Sequence, residues 1–181
     1  MPMRKAGQVS FCAILIALAL ALSYFERFLP LQLVIPLPGI KLGLANVVTL
    51  VALCLLKKRY VCMILICRCF LGALFGGGIT GLLFSLCGGL LALGAMVLAG
   101  KSGVFSIYGI SMFGAAAHNI GQILVAMVLM NSVYVGAYLP YLLLTAVATG
   151  LLTGGLCAGV VKLLPQRYKL VPAGMEKEKT V

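Results

Sequence analysis

Six stretches of this 181-residue chain are nearly free of charge and close to the length that crosses a lipid bilayer. They run over residues 9–25, 40–56, 60–75, 79–99, 107–130 and 137–164, and a spanning helix needs about 20 predominantly apolar residues. Backbone N–H and C=O groups in lipid must be satisfied internally, so each stretch predicts a helix. Hydrophobic residues make up 63% of the chain and charged residues 9%, against about 45–50% apolar and about 25% charged in soluble domains. A soluble enzyme and a disordered chain are both excluded. The expected architecture is all-α and integral to the membrane: a bundle of six transmembrane helices over residues 1–165, then a polar cytoplasmic tail over residues 166–181. The second and third stretches are short for the task.

The 14 Lys and Arg face only three acids, Glu26, Glu176 and Glu178, for a net charge of +11. In a soluble protein that balance suggests nucleic acid. Here the cations sit between apolar runs and set orientation instead. Arg4, Lys5, Lys57, Lys58, Arg59 and Lys101 flank one side together with five cations beyond residue 161, whereas Arg27 and Lys41 are alone on the other. Positive loops stay inside, so both termini are expected in the cytoplasm of a bacterium, which an even number of spans satisfies. Ala19-Leu20-Ala21 mimics a signal-peptide cleavage site, but the apolar run is longer than a signal core and reads as a retained span.

The long external loop, residues 26–39, carries Pro30, Pro36 and Pro38. Proline removes donors and favours extended backbone, so the loop is semi-rigid and either plugs a cavity or lies in the interface. Gly76-Gly77-Gly78 should break the chain between the third and fourth stretches. Gly88, Gly89, Gly150, Gly154, Gly155 and Gly159 fall within stretches, where small residues let helices approach closely. Seven cysteines lie in apolar runs without a Cys-x-x-Cys spacing, and read as packing residues rather than a metal or disulfide framework.

Polar residues inside the stretches carry the functional signal. Arg68 stands well inside the third stretch, where an Arg costs about 2.5–3.5 kcal/mol on insertion scales and should face the bundle interior. No carboxylate lies inside a stretch, and Glu26 sits near the external end. Arg68 therefore either meets backbone carbonyls or receives an anionic ligand. His118 and Gln122 share one helix face at i and i+4, with Asn119 one step round. They suit a ligand lining or interhelical hydrogen bonds. Asn46 and Thr49 share a face in the second stretch, and Lys41 either joins them or snorkels to the interface. Ala13, Ala17 and Ala21 form a small-residue stripe on the first helix, suited to close contact with another helix.

The run Pro38-Gly39-Ile40-Lys41-Leu42-Gly43-Leu44-Ala45-Asn46-Val47-Val48-Thr49, then Arg68, then His118-Asn119-Ile120-Gly121-Gln122, resembles the bacterial membrane family called heptaprenyl diphosphate synthase component I, also called the Gx transporter family. The resemblance covers the chain to about residue 164. It implies an architecture similar to the substrate-binding S components of energy-coupling factor transporters, which dock on a transmembrane coupling subunit through an alanine stripe on the first helix; Ala13, Ala17 and Ala21 match that stripe. The family's two names imply different functions. A prenyltransferase holds Mg²⁺ on a diphosphate through carboxylate oxygens, and this chain has no Asp, so no enzyme activity is expected of it. The expectation is a membrane component that binds a small, possibly anionic solute for uptake through Arg68, His118, Asn119, Gln122, Asn46 and Lys41. It would need no cofactor of its own, and partner ATPases would supply the energy. The alternatives are a non-catalytic membrane subunit of heptaprenyl diphosphate synthase, and a structural protein without a ligand.

Overall fold

The computed structural model describes residues 5–28 and 41–163. The elements are α1 (Lys5–Phe25), a 3₁₀ turn (Glu26–Phe28), α2 (Asn46–Leu55), α3 (Lys58–Gly72), a wide helical turn (Ala73–Gly77), α4 (Gly78–Ser102), α5 (Ile107–Leu129), a second 3₁₀ turn (Val133–Tyr138) and α6 (Leu139–Leu163). No strand occurs among the described residues. Four stretches are long and apolar enough to cross a membrane: Gly7–Phe25, Lys58–Ser102, Ile107–Leu129 and Val133–Leu163. The chain is a multi-pass membrane protein. Most of the proline-rich loop and the polar tail lie outside the described residues.

The stretch Lys58–Ser102 holds 45 residues, about 68 Å if straight, more than twice the hydrocarbon thickness of about 30 Å. It does not run straight. Phe75 (φ −82°, ψ 39°) and Gly76 (φ 92°, ψ 11°) leave helical geometry, and Gly76 adopts a left-handed conformation that glycine accepts without cost. α4 folds back on α3, so that Leu65 and Arg68 press on Gly89. The glycine triplet thus breaks the chain where the sequence places it.

The second apolar stretch departs from expectation. Residues 41–45 are not helical, and α2 begins only at Asn46. Gly43 has φ +81°, which ends any continuation of the helix toward the N-terminus. α2 is only ten residues long and every one of them is buried. At about 15 Å it covers half of the hydrocarbon thickness. It forms the centre of the molecule, packed against α1, α3, α4 and α6. The principal core surrounds it, with Leu15 from α1, Ile64 from α3, Met96 from α4, Ile110 from α5 and Cys157 from α6.

Lipid tails are as apolar as leucine, so helix association here depends on close packing and interhelical hydrogen bonds. Both are visible along α4, α5 and α6. A Cβ at Gly121 would stand 2.8 Å from Gly88 Cα, and one at Gly150 would stand 2.6 Å from Met112 Cα. Gly154 meets the Tyr108 backbone in the same way, at 3.0 Å. Gly159, expected among these packing glycines, faces open space. Ser111 and Thr153 hydroxyls share a 2.6 Å hydrogen bond between α5 and α6. Gly121→Ala is expected to cost about 1–3 kcal/mol, the usual range for overpacking, whereas Gly159→Ala leaves stability unchanged or slightly improved. Thermal unfolding of the two variants in detergent distinguishes them, and equal midpoints would contradict this packing.

Candidate functional site

The non-helical segment 41–45 is the structural problem that the site solves. Irregular backbone at membrane depth is tolerated only where protein buries it or a cavity receives it. Here two side chains from other elements and the backbone of α2 satisfy it. Gln122 Oε1 on α5 accepts the Lys41 N–H at 3.4 Å. Glu26, just past α1, accepts the Leu44 N–H with its carboxylate. The carbonyls of Gly43, Leu44 and Ala45 then accept the first N–H groups of α2.

The same side chains continue into one polar network. Gln122 Nε2 and His118 Nε2 lie 3.1 Å apart. His118 packs against Gly43 on one side and Gly88 on the other, where a Cβ would come within 2.9 Å and 2.8 Å of the ring. Lys41 Nζ turns inward and donates to Ser85 Oγ on α4 at 2.9 Å, so it does not snorkel. Arg68 Nη2 donates to Asn46 Oδ1 at 3.3 Å. Arg68 is buried, and its Nε has no hydrogen-bond partner among the described residues.

A cavity of about 330 Å³ lies where α1, α3 and α4 meet. Lys41, Arg68 and Ser85 supply its polar wall, and no carboxylate lines it among the described residues. Of the six residues expected at a ligand, Arg68 and Lys41 reach this cavity. Asn46, His118 and Gln122 stand behind them and hold the 41–45 segment in place. Asn119 points elsewhere: its amide donates to the Leu142 carbonyl on α6 at 2.6 Å, which is an interhelical bond. Thr49 Oγ1 is buried without a hydrogen-bond partner among the described residues.

Two members of the site escaped sequence reasoning. Glu26 is expected too near the external end to meet Arg68, yet the structure buries it to 3% exposure and sets it within electrostatic reach of Lys41 and Arg68. Burial pushes its carboxyl above the ordinary glutamate range, opposed by the Leu44 N–H, Lys41, Arg68 and the Gly43 N–H. Its signal was rarity: it is the only acid before residue 176. Ser85, a small hydroxyl within an apolar run of α4, offers no signal in sequence.

The alanine stripe faces outward. α1 buries Cys12, Leu15 and Ala19 and leaves Ala13, Ala17 and Ala21 exposed. Among the described residues no group of three or more His, Cys, Asp or Glu side chains is arranged to hold a metal ion.

These features define a class: a multi-pass helical membrane protein with a half-open, largely apolar cavity that two cations reach. The sequence pattern of the family described as heptaprenyl diphosphate synthase component I matches residues 15–160, and the chain belongs to that family. No curated protein and no solved structure matches it.

Gly43→Ala tests the geometry of the segment. A Cβ there would stand 2.8 Å from Asn46 Nδ2 and 2.9 Å from His118 Cδ2, on top of about 1–2 kcal/mol for left-handed backbone in an L-residue. The variant is expected to lose at least about 2 kcal/mol of stability, read as a lowered unfolding midpoint in detergent. An unchanged midpoint would contradict the described path of residues 41–45.

Proposed function

We propose that this protein is a non-catalytic membrane component that binds a small anionic ligand in the Lys41–Arg68 cavity and works beside a prenyl diphosphate synthase subunit. The observation that carries the ligand reading is Arg68. A buried guanidinium on the wall of a cavity it shares with a second cation is suited to an oxyanion. The partner reading is supported by the family's description as one component of a synthase. It is also supported by composition: with no Asp in the chain, the carboxylates that hold Mg²⁺ on a diphosphate must come from another subunit.

In this reading the chain crosses a bacterial cytoplasmic membrane six times, with residues 41–45 and α2 together making the second crossing and both termini inside. Tyr60 donates to Gln8 Oε1 at 3.2 Å, which puts the starts of α1 and α3 at one end, and Lys57, Lys58 and Arg59 are exposed at that same end. The site then occupies the opposite, outer half.

One observation favours a second reading, solute uptake. The exposed face of α1 carrying Ala13, Ala17 and Ala21 offers a flat strip on which a transmembrane coupling subunit, with its ATPases, can pack. This is the arrangement that the family resemblance read from the sequence would imply, if it extends to energy-coupling factor S components.

Affinity purification of the tagged protein from its own membranes is expected to recover an Asp-rich prenyl diphosphate synthase chain. Recovery of ATPases and a coupling subunit instead would establish uptake. For the ligand, Arg68→Ala is expected to weaken pyrophosphate binding about 10- to 100-fold, the equivalent of one charge-assisted contact, with membrane insertion intact. Unchanged binding would remove Arg68 from the site.

Glu26 gives a pH prediction. Its protonation removes the negative charge beside Lys41 and Arg68, and its raised pKa brings that event nearer neutrality. Pyrophosphate binding, corrected for the ligand's own titration, should tighten as pH falls through the Glu26 range. Glu26→Gln should bind more tightly than the wild type above the Glu26 range, match it below, and lose that dependence. A dependence that survives in Glu26→Gln would assign it to another group.

A further inference from the structure

The exposed cations of the described residues gather at the end of the bundle opposite the cavity. Lys57, Lys58 and Arg59 are exposed at the start of α3. Ala99 of α4 and Ala158 and Val161 of α6 pack into the same core as Leu55, Leu56 and Tyr60. Lys101 and Lys162, both exposed, therefore emerge at that end too. The one acid among the described residues, Glu26, is at the other end. Orienting a chain in a membrane requires only that such charges be present; here they are also placed. Residues three or four apart share a helix face. Lys101 shares one with Leu98, which is 69% exposed, and Lys162 shares one with Gly159, which faces open space. Below Arg59 the same face of α3 continues through Met63, Ile66 and Phe70, all exposed. These residues lie in membrane-crossing stretches, so their exposed faces meet lipid tails. The cations stand on the flank of the bundle, where the headgroups of the same lipids begin.

We infer that the start of α3 is a binding surface for an anionic diacyl phospholipid of the bilayer, with the phosphate headgroup on Arg59 beside Lys57 and Lys58 and an acyl chain along Met63, Ile66 and Phe70. Arg59 is held in place for this. Its guanidinium carbon lies 4.7 Å from the centre of the Tyr60 ring, and Nη2 donates to the Tyr60 hydroxyl at 2.9 Å. That hydroxyl donates in turn to Gln8 Oε1 on α1 at 3.2 Å. A guanidinium has five N–H donors in a planar fork, so one bond to Tyr60 leaves capacity for a phosphate. The length also fits. Arg59 to Phe70 is eleven residues of helix, about 16 Å, close to one leaflet of a hydrocarbon core about 30 Å thick. An acidic protein would match the same charges, but it would need them on the end of the bundle rather than above a strip that faces lipid. This site is separate from the Lys41–Arg68 cavity, and neither reading depends on the other.

The chain has no tryptophan, so a single one reports on its own surroundings. The test places it in the full chain by Met63→Trp, below Arg59, or by Leu144→Trp, on a lipid-facing position of α6 that is 72% exposed. Each protein is reconstituted in nanodiscs, and quenching by brominated phosphatidylglycerol is compared with quenching by brominated phosphatidylcholine. Both leaflets carry the same lipid, so the result is independent of orientation. At Met63→Trp phosphatidylglycerol is expected to be preferred about fivefold at low salt, the equivalent of about 1 kcal/mol for a basic residue near an anionic surface, and the preference should shrink as salt is raised. Leu144→Trp should show none. Adding Arg59→Gln should bring the preference at Met63→Trp below twofold, whereas adding Arg68→Ala should leave it intact. Equal quenching by the two lipids at Met63→Trp would overturn the inference. So would a preference that survives joint replacement of Lys57, Lys58 and Arg59 by Gln. Loss of the preference in Arg68→Ala alone would move the headgroup to the cavity and overturn this site. If no lipid preference is seen and the triple replacement instead abolishes recovery of an acidic protein from the membranes, the surface belongs to that partner and not to lipid.

Discussion

A backbone segment without helical hydrogen bonds lies inside this bundle, and the rest of the structure is arranged around the need to satisfy it. Residues 41–45 cannot supply their own partners, and lipid offers none. Glu26 and Gln122 are drawn in as acceptors for the Leu44 and Lys41 N–H groups, and α2 is left so short that all of it is interior. Burying these acceptors brings Lys41, Asn46, Arg68 and His118 into the same space. The cluster that first looks like a ligand lining is thus in large part the scaffold of an irregular segment, and only its edge, Lys41 and Arg68, reaches the cavity.

Charge follows from the same arrangement. One carboxylate and two cations share the interior, so the site carries a net positive charge with a built-in counter-ion. Glu26 does not line the cavity itself. It accepts a backbone N–H with its oxygen and acts on Lys41 and Arg68 through space. An arriving anion would therefore meet the cations directly and the carboxylate only at second hand. On the proposed reading, that separation would let one buried acid balance the cations without closing the site to an anionic ligand.

The close helix contacts make such burial feasible. Gly88 serves twice, accepting Gly121 of α5 against its backbone and the His118 ring against its Cα. A side chain at Gly88 would separate α4 from α5 and displace the ring that Gln122 orients. The packing of the outer helices and the geometry of the polar network are consequently one constraint. Gly159 shows the limit of reading this from composition: it lies in the same glycine-rich run as Gly150 and Gly154 but faces no neighbour.

Much was legible without coordinates. The helical membrane architecture, the break at Gly76-Gly77-Gly78 and the inward-facing Arg68 follow from local chemistry: apolar length, glycine's backbone freedom and the cost of an ion in lipid. The burial of His118, Asn119 and Gln122 follows in the same way. What each polar group bonds to does not. Asn119 and Gln122 are three residues apart and similar in chemistry, yet one bonds a carbonyl of α6 and the other holds the segment before α2. Glu26 belongs to the site, Ser85 meets Lys41, and α2 starts six residues later than its apolar run, all because of neighbours distant in the chain. Sequence determines which groups cannot remain in lipid, since that is a property of each side chain alone. Only the tertiary structure decides their partners, because hydrogen bonds at about 3 Å depend on how helices far apart in sequence are set against one another.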